Sequence, residues 1–578
     1  MHCKRFARWL PALLICGGQQ ALAQTAVERN LPPAPAAPNP GLVVPDAVPA
    51  QQDDTPLGAT LRAIVLLGDG ERPVEAAGVA DGVDAGRVAI LNNDGARRVL
   101  RRFLGQPLTR RRIAEIEAEI ARLARATGRP FISLSTPEQE ITGGVLQIRV
   151  TEFRLGSLKV TGVSTAEAER IGRALRVAPG EPINSRALSE DLAWLNRLPV
   201  RDTSARFAPA DAAGRTDLTV VVEEPRQFRL YAGSSNTGSQ STGLARLFVG
   251  AVADIRLLPG AYISYQLTGS RDLLIDEGRF FAPKRPRYVA QGARVAIPTF
   301  ARENVELTFS DSLTNQHPNA LFTVRQRTTE LTLAYRSALS NAGLPAGFGD
   351  MLFGIELKRQ HRTVLFGPLT ALDVSADIRQ YMVGWSRDWF GNGEQGSANI
   401  AVHVSPGGSA AELAAITNGR TRNSRFGYVT FDLRHVQRLT RDLSLTQSAT
   451  LQYAKSALPL STQIGLGGDG LARGYTTDDG AFDTGFVLRN DLNLPVTSLF
   501  AKGGPNGDVL APRVFFDLAY GLDRITHQSS TLVSAGLGGD YRMGRAFTLG
   551  VDGGWALTNG LRSRAGSPRV QARASLSF

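Results

Sequence analysis

The chain ends in VQARASLSF, Val570 to Phe578. In an extended chain Val570, Ala572, Ala574, Leu576 and Phe578 fall on one face, and Gln571, Arg573, Ser575 and Ser577 on the other. So clean an alternation, closed by an aromatic residue, describes a strand lying between two unlike media. The same alternation recurs upstream in Ala261–Thr268 (AYISYQLT), Glu306–Ser310, Glu330–Tyr335, Tyr428–Leu433, Leu443–Tyr453, Val514–Tyr520 and Phe547–Asp552, with Gly, Asn, Asp and Pro between. Helical periodicity mostly disappears from about Gln227 onward. The region 226–578 is longer than a soluble sandwich needs. Divided among sixteen strands it gives about 22 residues per strand and connection, which suits ten-residue membrane strands. It therefore reads as an antiparallel transmembrane β-barrel with its apolar faces outward.

The other end agrees. The N-terminus, MHCKRFARWLPALLICGGQQALAQ, has a basic start (Lys4, Arg5, Arg8), an apolar stretch Trp9–Cys16 and the small-residue signal Ala21-Leu22-Ala23. Residues 1–23 are expected to be a signal peptide cleaved between Ala23 and Gln24. Both cysteines of the chain, Cys3 and Cys16, precede that point. The mature protein is then without a disulfide, a thiol nucleophile or a thiolate metal site. No run of 18 apolar residues follows, which excludes a helical span but leaves a barrel open. The net charge of +12 over 578 residues comes almost wholly from arginine. A basic balance alone assigns no nucleic-acid partner, and none is expected.

Between the two lie a linker and a repeat. Residues 24–58 are rich in Pro and Ala, which makes an extended connection, with room for a short helix near Gln24–Leu31. Residues 59–152 begin with a strand in ATLRAIVLLG. Thr109 then caps a helix with Ile113, Ile116, Ile120 and Leu123 on one face, Gly128 ends it, and strands follow at Arg129–Leu134 and Val145–Thr151. Residues 153–225 repeat the order: a strand at Ser157–Thr161, a helix over Thr165–Leu175, a second capped by Ser185, and strands near Val200–Phe207 and Leu218–Glu223. Two successive β-α-α-β-β units form an internal repeat.

Specific strings now resemble a family. TPEQEITGGVLQIRV, with Pro137, Gln139, Gly143 or Gly144, Leu146 and Ile148, is similar to the close of a polypeptide-transport-associated (POTRA) domain. GRTDLTVVVEEP is similar to the close of a second. NTGSQSTG, and above all LPLSTQIGLGGDGLARGY (Leu458–Tyr475), resemble outer-membrane transporters of two-partner secretion, the haemolysin secretion/activation family, over nearly the whole chain. Arg473, Gly474 and Tyr475 carry that family's loop motif, with Ala472 in place of a larger apolar residue. VFFDLAYG resembles its F-x-D-x-G strand through Phe515 and Asp517, with Ala519 where Gly is usual. The resemblance implies two periplasmic POTRA domains (59–152 and 153–225), a 16-stranded barrel (226–578), and Phe578 as a terminal signal for barrel assembly. It implies as partners a secreted exoprotein with an N-terminal two-partner secretion domain, outer-membrane lipids, and the barrel-assembly machinery and periplasmic chaperones. A pore-plugging helix occurs in the family; the prolines of 24–58 leave little room for one.

In a loop folded back into the lumen, Arg473 would be a fixed cation, and its planar fork suits a carboxylate such as Asp517. On the residues alone, a solvated loop arginine is the commoner reading; the resemblance favours the pair. Other motifs fall away. GNGEQG (391–396) and GLGGDG (465–470) are not set between a strand and a helix. There is no G-x-S-x-G, no H-E-x-x-H and no Gly-Lys. Asp469, Asp478, Asp479 and Asp483 have no calcium-loop spacing. No cofactor, metal or enzymatic activity is expected. The function implied is export of a partner protein across the outer membrane, with a barrel-assembly factor and an outer-membrane enzyme as the alternatives.

Overall fold

The computed structural model describes residues 53–197, 201–212, 214–223, 228–255, 257–275, 286–391, 393–421, 423–468, 470–500 and 507–578. The expected signal peptide, its Ala23–Gln24 junction and the linker as far as Gln52 lie outside these residues. The chain divides into an N-terminal unit, Asn39–Asn196 with Arg201–Glu224, and a C-terminal unit made chiefly of Pro225–Phe578.

The N-terminal unit holds two small α+β layers. In the first, a four-stranded sheet runs in the order Gly82–Asp84, Ala63–Leu67, Val145–Glu152, Ile132–Ser135. Helices Asp94–Leu100 and Arg110–Ala126 accompany it. The second helix begins where Thr109 accepts the N–H of Arg112 at 3.0 Å, and its Ile116 and Ile120 are buried with Leu61, Ile64, Leu66, Leu146 and Ile148. Pro56–Thr60 is already a strand, paired with Pro107–Thr109, so the folded unit starts inside the proline-rich stretch; Leu57 packs on the core. The alternation of Val145–Thr151 suggests one wet face, yet Gln147 is 3% exposed. Val74, Ala76 and Val79 cover that face beside Ala63, Val65, Leu67 and Val145. Gln147 is satisfied there: its amide exchanges bonds with the backbone of Val74 at 2.8 and 2.7 Å. The Gln139 side chain in turn bonds the N–H and C=O of Gln147, each at 2.7 Å, acting as a one-residue strand.

The second layer is a sheet in the order Arg154–Thr161, Arg215–Glu223, Asp202–Pro209. Its helices are Thr165–Ala174 and Ser185–Leu195. Asn184, not Ser185, is the cap: its side chain accepts the N–H groups of Arg186 and Ala187 at 3.1 and 3.2 Å. Leu188 and Leu192 close the core against Leu155, Leu218 and Val220.

The C-terminal unit is a closed antiparallel barrel of sixteen strands. The first strand, Phe228–Ser235, pairs with the last, Pro568–Ser577, from Tyr231↔Ser577 to Ser235↔Arg573. Closure removes every sheet edge, the condition for placing strands in lipid. Polarity is inverted relative to the N-terminal unit. Leu331, Leu333, Phe353, Ile355, Tyr381, Val383, Val402, Val404, Phe516 and Leu537 point outward and are exposed, while Gln360, Gln380, Gln452 and Asp517 point inward and are at most 1% exposed. In the last strand Val570, Leu576 and Phe578 lie outward, Phe578 at 64% exposure. Its backbone N–H reaches Leu230 O at 2.8 Å, carrying the seam to the final residue.

Candidate functional site: a loop clamped to the inner wall

The connection 455–483 links the eleventh strand, Ser444–Ala454, to the twelfth, Thr484–Asn493. It folds into the barrel. Ile464–Gly465 pairs with Ala481–Phe482 as a narrow ribbon, so GLGGDG starts within this ribbon. Ile464, Leu466, Leu471, Ala472, Tyr475 and Phe482 form an apolar cluster with Val487, Ala519, Leu532 and Ala556 of the wall. Ala472 and Ala519, the two departures from the family pattern, are both fully buried in that cluster. Small side chains suffice where loop and wall meet.

At the tip stands Arg473, 2% exposed. Its Nε and Nη2 donate to the carboxylate of Asp517 at 2.9 and 2.7 Å, and its backbone N–H donates to Asp517 Oδ2 at 2.9 Å. The guanidinium carbon lies 3.7 Å from the centroid of the Phe515 ring. Phe515 and Asp517 occupy the thirteenth strand, Asp508–Leu522, as successive inward residues. Both side chains face the lumen, the condition under which Asp517 can meet Arg473. A second carboxylate was not legible: Asp491 Oδ1 of the twelfth strand lies 2.6 Å from Arg473 Nη1. Asp491 pairs across the ladder with Phe515, and Asp517 with Arg489, so the register of two strands sets both acids around one cation. The only sequence sign of Asp491 was its inward parity in Thr484–Asn493.

Gly474 and Tyr475 complete the clamp. Gly474 has φ +101°, and a Cβ there would stand 3.1 Å from Ser534 Cβ and 3.3 Å from Ala556 N. That position therefore demands glycine on two counts. The Tyr475 hydroxyl reaches Val533 O at 2.7 Å and accepts the Thr558 N–H at 3.2 Å. Gly536 leaves the space beneath: a Cβ there would meet Phe515 Cζ at 2.4 Å.

The acidic residues of the loop are structural anchors. Asp478 accepts Ser241 Oγ at 2.7 Å, which explains the NTGSQSTG string as a seat for the loop. Asp479 accepts the N–H groups of Arg562 and Ser563 at 2.9 and 2.7 Å, and the N–H of Thr476 at 2.8 Å. Asp469 is outside the described residues, and no metal-holding cluster occurs among the described ones. Buried charges that each lose water and regain several partners make a precise attachment whose members are costly to remove singly. What the arrangement does physically is hold the loop against the inner wall.

A closed barrel with an apolar outer wall is the architecture of a β-barrel membrane protein. Residues 366–541, which include the whole Arg473–Asp491–Asp517 group, match the family of haemolysin secretion/activation proteins ShlB/FhaC/HecB. The chain is 24% identical over 388 residues to the outer membrane transporter CdiB of Dickeya dadantii (strain 3937), covering 64% of this chain and 62% of that protein. It is 24% identical over 384 residues to that of Escherichia coli, covering 64% and 61%. The matches thus span less than two thirds of those relatives. The solved CdiB from Escherichia coli shares the fold, with a TM-score of 0.63 at 18% identity over 92% of this chain and 93% of that one. Over residues 366–541 the chain is thus similar to the haemolysin secretion/activation family, and it shares the β-barrel fold of CdiB.

Proposed function

We propose that the protein is the outer-membrane pore of a two-partner secretion pair. It exports an exoprotein that reaches the periplasm unfolded and carries an N-terminal secretion domain. Residues 59–152 and 153–225 act as periplasmic POTRA domains and receive the cargo. The second sheet offers the longer edges for strand addition: Arg154–Thr161 and Asp202–Pro209 have 8 residues each, against 4 in Ile132–Ser135. Main-chain pairing at such an edge tolerates varied cargo sequences. The cargo then passes through the lumen as the clamped loop yields. The reading assigns transport and no catalysis.

The observation that carries it is the three-way clamp of Arg473 on Asp517 and Asp491, which anchors an in-folded loop to the inner wall of the barrel. The test is export of a candidate exoprotein with an N-terminal two-partner secretion domain, co-expressed with this chain. Arg473→Ala is expected to abolish secretion while heat-modifiable barrel accumulates normally in the outer membrane. Normal secretion by that variant overturns the reading.

A further inference from the structure

A second connection also folds inward. It joins the ninth strand, Glu394–Pro406, to the tenth, Arg425–Arg438, and carries the helix Ala410–Ile416. Leu413 and Ile416, 1% and 4% exposed, pack on Ala376, Ile378, Phe426, Tyr428 and Ala454, and on Leu458. The first five are inward residues of strands eight, ten and eleven, whose outward neighbours Tyr381 and Tyr453 are exposed. The helix therefore lies against the inner wall. Arg362, another inward residue, donates to Ile416 O at 2.6 Å and holds the helix's last turn. Leu458 is the start of the clamped loop, so the two connections share one apolar cluster.

They also share one charge cluster. Arg420, just past the helix, donates Nη2 to Asp483 Oδ2 at 2.7 Å and Nη1 to Asp523. Asp483 closes the clamped loop and is fully buried. It accepts the N–H of Leu458 at 2.8 Å, Gln463 Nε2 at 3.0 Å and the N–H of Arg524 at 2.8 Å. Thr421 Oγ1 adds a contact to Leu458 O at 3.4 Å. One carboxylate thus gathers both ends of the clamped loop, the turn after the thirteenth strand and the helix-bearing connection. Pulling the clamped loop away strands Asp483 without Arg420, or drags Arg420 and its helix along. A buried charge left without its partner is the costlier outcome.

We propose that the helix Ala410–Ile416 is a second gate across the lumen, and that Arg420 is the positioning residue that couples it to the loop bearing Arg473, so that both move together. This rests on the transport reading above. The chain's two cysteines, Cys3 and Cys16, precede the expected cleavage point, so engineered pairs report alone. The full protein is reconstituted in planar bilayers and its single-channel opening recorded. Arg420→Gln is expected to raise open probability about ten-fold or more, because its charge-assisted bonds to both Asp483 and Asp523 are lost. In the Arg473→Ala background, a disulfide between Ala376→Cys and Leu413→Cys, fixing helix to wall, is expected to restore closure until reductant is added. A disulfide between Thr421→Cys and Leu458→Cys, joining the two loops, is expected to leave that opening intact.

Wild-type gating by inserted Arg420→Gln overturns the coupling. If Arg420→Gln fails to insert, the disulfide arms decide in its place. A helix-to-wall disulfide that leaves Arg473→Ala as open as before overturns the gate, and a loop-to-loop disulfide that closes it overturns joint movement. Any of these results, with export still lost in Arg473→Ala, sinks only this inference. Normal export in Arg473→Ala sinks the transport reading itself.

Discussion

The N-terminal unit and the barrel use the same residue types in opposite places. In the first, Ile64, Leu66, Ile116 and Ile120 are shut inside and the arginines of Arg110–Ala126 line the outside. In the second, leucine, valine and phenylalanine face out while arginine and aspartate are buried in the lumen. The difference teaches that burial means different things on the two sides of the chain. A buried leucine in the small unit has left water for hydrocarbon-like packing, which is where its stability comes from. A buried aspartate in the barrel has left water too, and is stable only through named partners.

Changes at matched depth break or sharpen this contrast. The largest effect is expected from Ile120→Asp. It puts an unpaired charge into a fully buried core position and should cost about 5 kcal/mol or more. Limited proteolysis should then remove residues 53–223 from an intact, inserted barrel; a protease-resistant N-terminal unit refutes the assigned core. Next comes Arg473→Ala, which leaves Asp491 and Asp517 unpaired and should weaken loop docking by about 3–5 kcal/mol. The check is cleavage within 455–483 by protease added to whole cells, rising from undetectable to complete with the barrel still heat-modifiable. Here a polar-to-apolar change inside is expected to do what an apolar-to-polar change does in the small unit.

The outward face comes third. Leu333→Arg, at a position 48% exposed, should lower barrel stability by about 2–4 kcal/mol, read from the urea midpoint of folding into vesicles. An unchanged midpoint would place Leu333 outside the hydrocarbon. Gln139→Ala should cost the first layer about 1–3 kcal/mol, because it orphans the backbone groups of the covered Gln147. Thermal melting of the N-terminal unit measures it, and a shift no larger than that of exposed Glu138→Ala counts against the bridge.

The smallest effect concerns acid. Glu167 is bound by Arg170 Nε at 2.8 Å, and that bond holds its carboxyl below the ordinary value of 4.5. A carboxyl depressed by folding contributes stability above its unfolded value and loses it as pH falls through the lower folded one. The contribution is expected to stay below about 1 kcal/mol, since the pair is partly solvated. Glu167→Gln should therefore destabilise the unit slightly at pH 7 and not at all well below pH 4, as read from denaturant midpoints at both pH values.

What the sequence determined alone was whatever depends on neighbours a few residues away. Alternation in VQARASLSF put Phe578 on one face with Val570 and Leu576, and Thr109 marked a helix start, because strand and helix periods are local. The cap at Asn184 slipped by one residue because Asn184 and Ser185 are both good caps and only the realised backbone chooses between them. The start of the first unit at Pro56 was hidden, since proline on an edge strand reads as linker. Tertiary structure alone decided the rest. Gln147 is buried because a segment 73 residues upstream covers it. Asp491 joins Arg473 because strand register and an in-folded loop bring three distant stretches to one point in the lumen. Arg420 meets Asp483 across 63 residues by the same means. Periodicity tells which face a side chain takes; only closure of the barrel tells what stands opposite it.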